Sequence, residues 1–475
     1  MRLVDLADLV SGDCHGDATV TGITHDSRRV SPGDLYVAVP GFTQHGADFV
    51  VAAQAAGAVA LATDVAGAQQ AAAAGVTLPT LVIDDVRRAM PVLAARIFGN
   101  PERDLVICGV TGTNGKTTVT HMLSGILSTH GHRVAVIGTL SGARTTPEST
   151  DLFAELRRLR DSGVTHVVME VSSHGLALHR VDGITFAVAG FTNLSQDHLD
   201  FHGSMPAYFA AKRRLFDACD AAVVNVDDEW GRQLADELAA LGRPLVTVGT
   251  TGHYSVRNIS QSLAEGLDFT LVAPQVSVPV HLATVGDFNA VNAAVAVAMA
   301  TQLGVAVQQA AAALSTFQPV PGRLEPIPLQ RGAAVVDYAH TPDAVERVLS
   351  VLSGAGARRI ITVIGCGGDR DPSKREPMGR VAARRSDVVI VTDDNPRSEN
   401  PAAIRAAVMS GAREGNAQLH EIADRREAIR YALSVAGDRD VVAVLGKGHE
   451  TGQEVAGVVR PFDDRAVVRQ EGAGA

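Results

Sequence analysis

Residues 105–120 read LVICGVTGTNGKTTVT, and the fold turns on them. The apolar run Leu105–Val110 has the length of a buried strand, and HMLSGILSTHG from His121 has the spacing of a helix. Between the two, Gly112 and Gly115 let backbone N–H groups wrap a phosphate, and the following helix N-terminus favours negative charge. Lys116 can reach the terminal phosphates, and the Thr117 hydroxyl can face Mg²⁺. Thr113, Asn114, Thr118 and Val119 fill the rest of the loop and the first helical turn. The spacing is shorter than G-x4-GK[ST], because Val110 stands where the first glycine belongs. A glycine-rich strand-to-helix turn needs no ligand, but GKT in this context points to a nucleotide.

Outward from this loop the strand–loop–helix rhythm repeats: VAVIGTL (134–140), HVVMEVSS (166–173), FAVAGFTNLS (186–195) and AAVVNVDD (221–228). Such alternation predicts a mostly parallel sheet covered by helices on both faces. Upstream, LYVAVP, AVALAT and TLVIDD are short apolar runs among Ala-rich helical segments. Downstream, the β-rich VSVPVHLAT precedes a long apolar helical run in GDFNAVNAAVAVAMATQLG. The Pro-rich FQPVPGRLEPIPL (317–329) is expected to be a hinge or linker. After it come AAVVDYAH, RIITVIGCGGD, DVVIVTDDNP and DVVAVLGKGHE, each ending in residues suited to ligand loops at the carboxyl ends of parallel strands. Three α/β blocks result, at 1–100, 101–320 and 321–475.

Composition narrows the class. The chain has 475 residues, 46% hydrophobic, with a formal net charge of −10, which argues against a nucleic-acid binder. Its four cysteines are far apart, as reduced thiols in a cytoplasm would be. The N-terminal MRLVDLADLV is no signal peptide, and apolar stretches break well short of the ~20 residues a membrane span needs. A soluble cytoplasmic protein without membrane insertion is expected.

Several polar positions then stand out. Glu170 ends a buried strand, where a carboxylate serves as metal ligand or helix cap. Asn193, Asp197, His198, Asp200 and His202 crowd into TNLSQDHLDFHG. The lysine of YFAAKRRLFD (208–217) is out of character: among 42 Lys and Arg, lysine occurs only at 116, 212, 374 and 447. A solvated helix face is served equally by Arg, so Lys212 is either incidental or kept for its primary amine.

GVTGTNGKTT, MEVSSHGL, NLSQDHLDFHG, AKRRLF, GDFN, VPGRLE and DYAHTPD, in this order and spacing, resemble the Mur ligase family over nearly the whole chain. THDSRRVSPGDLYVAVPG, GGDRDPSKR, DDNPRSENP and GKGHE narrow the resemblance to members that add diaminopimelate. The resemblance implies a central P-loop-type ATPase sheet between an N-terminal uridine-nucleotide domain and a C-terminal Rossmann-like domain. It implies a monomer that forms an amide on UDP-N-acetylmuramoyl-L-alanyl-D-glutamate using ATP and Mg²⁺, through an acyl phosphate. Lys116, Glu170, His198 and Lys212 take the catalytic positions, and Thr117, Glu170, His198 and Lys212 the metal shell. Lys212 takes the place of a lysine carbamylated by CO₂. Carbamate formation needs a neutral amine, and an amine of reference pKa about 10.4 is neutral only about one time in a thousand at pH 7. A guanidinium cannot follow that route.

Other family positions fall on Asn289, Arg323, Asp337 and His340 near ATP. His25, Ser27, Phe42, Thr43, Gln44, Arg144, Thr145, Thr146, Ser172, Leu178 and Arg180 fall at the UDP-substrate. Leu178 departs from a common relative's Gln, so that contact is not carried over. Arg370, Asp394, Asn395, Pro396, Arg397, Gly446 and Glu450 fall at the diaminopimelate pocket. Arg397 suits a distal carboxylate, and Asp394, Asn395 and Glu450 can accept from the distal ammonium. A lysine-adding relative, a folylpolyglutamate synthase-like ligase and a non-catalytic nucleotide-dependent binding protein are the alternative readings.

Overall fold

The computed structural model describes residues 1–41, 44–142, 144–263 and 265–472. The chain divides into two compact units, residues 1–252 with 298–305, and residues 253–297 with 306–475.

The first unit holds two sheets. A five-stranded sheet lies within the first hundred residues, in the order Asp13–His15, Thr80–Val82, Ala60–Thr63, Asp34–Val37, Gly22–Thr24. Only its first strand runs antiparallel. The second sheet is six-stranded and wholly parallel, ordered Leu245–Val248, Cys219–Asn225, Phe186–Phe191, Val106–Thr111, His166–Glu170, Val134–Ile137. Its central strands are buried throughout or nearly so, as apolar runs covered on both faces should be. Register sets Val110 beside Glu170 and Thr111 beside Phe191, so the phosphate loop, Glu170 and the Thr192–Asn193 turn share one carboxyl edge.

The second unit opens with an antiparallel meander, Ser255–Ser262, Gly266–Ala273 and Val276–Leu282, whose register shifts between Arg257 and Ser260. A six-stranded sheet follows, ordered Glu325–Pro328, Ala333–Asp337, Val441–Leu445, Ile360–Ile364, Val388–Val391, Gln418–Glu421. Its first strand corrects the hinge expectation for 317–329. Glu325–Pro328 pairs antiparallel with Ala333–Val336, and proline is tolerated because this is an edge strand, where an outward N–H has no partner to lose. Leu445 lies in register with both Asp337 and Ile364, and Ile364 with Val391. The loops beginning at 338, 365, 392 and 446 therefore converge. Among the described residues no helix is long and apolar enough to cross a membrane.

One ion pair anchors that edge. Arg425 and Asp464 have fully buried side chains joined by two 2.7 Å bonds, and Arg425 also donates to the Leu445 carbonyl at 3.0 Å, one residue before GKGHE. Removing one partner leaves an uncompensated buried charge. Arg425→Ala is expected to cost about 3–5 kcal/mol, read as a lower urea midpoint for the transition that includes the second unit.

Candidate active site

The phosphate loop begins where Gly112 leaves its strand with φ +146°, a value that favours glycine. A Cβ there would lie 1.9 Å from Thr192 Oγ1. Asn193 clamps the loop from the neighbouring strand end: its side chain accepts from Asn114 N at 3.0 Å and donates to Asn114 O at 3.1 Å, while its carbonyl accepts from Thr113 N. Thr113 Oγ1 lies 3.2 Å from the Tyr208 hydroxyl. Gly115 precedes the helix Lys116–Thr129 and offers no side-chain cap, so its first turn directs N–H groups toward the loop. Thr118 is half-buried and Val119 fully buried in that turn.

Two amines meet at this loop. Lys116 Nζ donates to Gly112 O at 2.8 Å and to Thr113 O at 2.9 Å, and Lys212 Nζ donates to the same Gly112 O at 2.8 Å. Lys212 is 1% exposed, with its amine 4.7 Å from the Tyr208 ring centroid. Burial drives its pKa well below the ordinary lysine value; the Lys116 charge pushes the same way and Asp197 opposes it.

Glu170 is equally buried. It accepts from Thr117 Oγ1 at 3.1 Å, from Thr139 N at 2.8 Å and from Thr139 Oγ1 at 3.2 Å. Room for it depends on Gly138, whose Cβ would lie 2.3 Å from Oε1. His198 adopts φ 52° and lies 3.4 Å from Asp197 through Nε2. Burial lowers its pKa, Asp197 opposes, and His174, Lys116 and Lys212 lower it further. The balance favours the neutral imidazole, the form that ligates metals. His202 turns to Ser173 Oγ at 2.9 Å instead.

Among the described residues no group of three or more His, Cys, Asp and Glu is placed to hold a metal. Mg²⁺ is usually held by one or two carboxylates together with substrate phosphates. Thr117 and Glu170, bonded to each other, are residues here whose oxygens could join such a set.

The uridine-side residues form a second cluster in the same unit. His25 Nδ1 lies 2.8 Å from Thr150 Oγ1, and Ser27 opens the turn capped by Asp26. Phe42 and Thr43 lie outside the described residues; Gln44 is exposed, its carbonyl accepting from Gly41 N. Thr145 meets Thr139, and buried Thr146 donates to the Glu170 carbonyl and accepts from Ser172 N. Ser172 Oγ caps the helix Ser173–Ala177, which Leu178 ends half-buried. Arg144 and Arg180 both reach Glu148 at 2.6 Å. Glu148 Oε2, Ser149 Oγ and Arg180 Nε are buried without partners among the described residues, where most buried polar atoms are paired.

In the second unit, Asn289 donates to Val285 O and accepts from Asn292. Asp337 accepts from Leu324 N at 2.7 Å and Ala339 N at 2.8 Å, and burial raises its pKa. Arg323 covers the Tyr338 ring at 4.7 Å, and His340 Nδ1 meets Tyr338 O at 2.9 Å. The converging loops gather Asp394, Asn395, Pro396, Arg397, Gly446 and Glu450. Asn395 Nδ2 donates to Glu450 Oε2 at 2.7 Å. Arg397 Nη1 donates to Gly368 O at 2.6 Å, its Nε 3.6 Å from Glu454. Gly368 must be glycine, since a Cβ would lie 2.0 Å from Pro396 O. Arg370 is exposed.

The matches along the chain coincide with these sites. Residues 19–97 match the Mur ligase family catalytic domain, 110–300 the Mur ligase middle domain, and 322–448 the Mur ligase glutamate ligase domain. A curated relative from Streptomyces avermitilis, UDP-N-acetylmuramoyl-L-alanyl-D-glutamate--2,6-diaminopimelate ligase, is 47% identical, covering 96% of this chain and 92% of its own. The chain belongs to the Mur ligase family. A solved structure of a ligase of the same name is 34% identical with TM-score 0.68, covering 96% of this chain and 95% of that one. The MurF ligase of Thermotoga maritima, solved in complex with ADP, shares the fold at 19% identity and TM-score 0.67. Mur ligases are ATP-dependent, and this chain is such an enzyme.

Sequence reasoning missed four residues that hold the others: Thr139 on Glu170, Glu148 on Arg180, Tyr208 beside Lys212, and Lys447 in GKGHE. Only Lys447 carried a signal, as one of four lysines. Gly112→Ala is expected to weaken ADP binding at least about tenfold, because its Cβ must push Thr192 or displace the loop. Titration calorimetry measures the affinity, and a near-wild-type unfolding midpoint would show that the damage is local.

Proposed function

We propose that this chain joins diaminopimelate to the glutamyl carboxylate of UDP-N-acetylmuramoyl-L-alanyl-D-glutamate at the expense of ATP, in peptidoglycan precursor synthesis. The 47% identity across 92% of a relative named for this reaction carries the reading. By role the chain divides at 1–100 for the uridine nucleotide, 101–320 for ATP and 321–475 for the amino acid, and it acts as a cytoplasmic monomer.

The γ-phosphoryl group passes to the glutamyl carboxylate, giving an acyl phosphate. The amine attacks, and phosphate leaves the tetrahedral intermediate. The protein's share is positioning and charge stabilisation. Lys116 faces the transferring group with its ammonium, and the helix start at Thr117 and Thr118 cradles the phosphates. Bound Mg²⁺ would neutralise phosphate charge, held by Thr117, Glu170, His198 and carbamylated Lys212. Carbamylation joins the neutral amine to CO₂ through a new C–N bond, releasing one proton and leaving a carboxylate. The closed pocket around Lys212, between the Gly112 carbonyl and the Tyr208 ring, supports it.

At the amino-acid loops, Arg397 meets the distal carboxylate of diaminopimelate and Glu450 the distal ammonium. Asn395 Oδ1 already accepts from Lys447 and from Glu454 N, which leaves its NH₂, already donating to Glu450, as the end of the amide with capacity for a ligand. The match over 19–97 disfavours a folylpolyglutamate synthase, which should lack the DSR domain. Phosphate release measured with the UDP-dipeptide and each amine in turn tests the whole: release with diaminopimelate but neither lysine nor glutamate is expected, and release that ignores the amine would sink it.

Two variants probe the parts. Lys212→Arg keeps a basic side chain of similar length but forbids carbamylation, so turnover should fall to background while ADP still binds; full activity would remove the carbamate from the mechanism. Arg397→Ala should raise the KM for diaminopimelate at least about tenfold, since a hydrogen bond to a charged group is worth roughly 1.5–3 kcal/mol. The KM values for ATP and the UDP-dipeptide should barely move. If they rise instead while diaminopimelate is spared, Arg397 serves something other than specificity.

A further inference from the structure

Lys447 has so far only been noted as a partner of Asn395, yet its side chain is wholly buried in the middle of the amino-acid loops. Its Nζ donates to Asn395 Oδ1 at 3.0 Å and to Glu450 Oε2 at 3.0 Å, and lies 3.9 Å from Asp394 Oδ1. The glycines on either side of it are closely packed. A Cβ at Gly446 would lie 2.5 Å from Asp394 Oδ2, and one at Gly448 2.7 Å from the Gly322 carbonyl. Both glycines have positive φ, a backbone conformation that other residues rarely adopt.

Each contact fixes something the ligand would meet. Asn395 Oδ1 accepts from Lys447 and from Glu454 N, while Nδ2 donates to Glu450. A flipped amide would set its NH₂ against an ammonium and an N–H, so this orientation is enforced. Glu450 Oε2 already takes two donors, which leaves Oε1 as the acceptor of a side chain 30% exposed. Asp394, Glu450 and Lys447 together sum to a single negative charge, matching one ammonium. Without Lys447 the cluster would carry two negative charges and a less constrained Glu450. An ammonium can radiate three donors to three partners, whereas a guanidinium is a larger planar fork.

We propose that Lys447 is a positioning residue that sets substrate specificity, holding Glu450 and Asn395 and lowering the pocket's charge so that it takes an amino acid whose far end is a zwitterion. This rests on the diaminopimelate reading. The test uses full-length wild type, Lys447→Met, Glu450→Gln and the double variant Lys447→Met/Glu450→Gln. For each, KM is measured separately for diaminopimelate, ATP and the UDP-dipeptide, alongside the unfolding midpoint. Lys447→Met should raise the diaminopimelate KM about tenfold or more, narrow the preference over lysine, and leave the other two constants within about twofold. Because Lys447 acts through Glu450, the double variant should lose no more than Glu450→Gln alone. It removes the charges of both partners and should fold even if the single variant does not. A parallel rise in all three constants, additive losses, an unchanged diaminopimelate KM or a double variant that fails to fold would each overturn the proposal. Wild-type enzyme that releases no phosphate with diaminopimelate would overturn the function itself, independently of Lys447.

Discussion

Two lysine amines share one carbonyl oxygen, that of Gly112, and the first unit's chemistry is built around that contact. Bringing two ammonium groups to one acceptor is unfavourable unless one of them gives up its proton. Burial and the Lys116 charge both push the Lys212 pKa down, since desolvation penalises charge most where water is excluded. The parallel sheet makes the arrangement possible. It carries Gly112 to a strand's carboxyl end, sets Glu170 on the next strand in register, and brings Asn193 from the other side to hold the loop. Small residues supply the clearance: a side chain at Gly112 would strike Thr192, and one at Gly138 would strike Glu170.

The second unit solves a similar problem with different groups. Its carboxyl edge also gathers loops from neighbouring strands, but the buried lysine there is paired with carboxylates rather than with another amine. The Arg425–Asp464 pair, bonded to the Leu445 carbonyl, fixes the strand end from which GKGHE departs. Buried ion pairs are weak sources of net stability. Their use at this edge is geometric, because a loop that must orient a carboxylate needs a rigid root.

Much of this was legible in the sequence because parallel strands covered on both faces appear as unbroken apolar runs, and their ends as Gly, Asp, Asn and His. The strands at 166–170, 186–191, 360–364, 388–391 and 441–445 lie inside the runs that announced them, and that at 106–111 extends one residue past Leu105–Val110. The segment 317–329 misled because proline is a breaker in most contexts, and an edge strand, being a pairing property, is not visible locally. Asn395 was assigned as an acceptor on its residue type alone. Which end of its amide faces outward depends on Lys447 and Glu454, fifty and more residues away. Glu148 escaped for a similar reason, since nothing local reveals that Arg144 and Arg180 converge on it.

The scarcity of lysine is the one compositional feature that tracks the chemistry residue by residue. Arginine serves the surface here, in pairs such as Arg380–Glu414 and Arg430–Glu471, where a planar fork matches a carboxylate. Lysine is retained at 116, 212 and 447, at the carboxyl edges of the two six-stranded sheets. Each of the three directs a compact amine at acceptors that a fork could not meet together: two loop carbonyls, one shared carbonyl beneath an aromatic ring, and an amide with a carboxylate. Lys374, the fourth, ends a short turn just before Arg375, whose buried guanidinium pairs with Glu399. A chain that writes nearly all its positive charge as arginine thus marks, by its exceptions, where geometry or a removable proton calls for a primary amine.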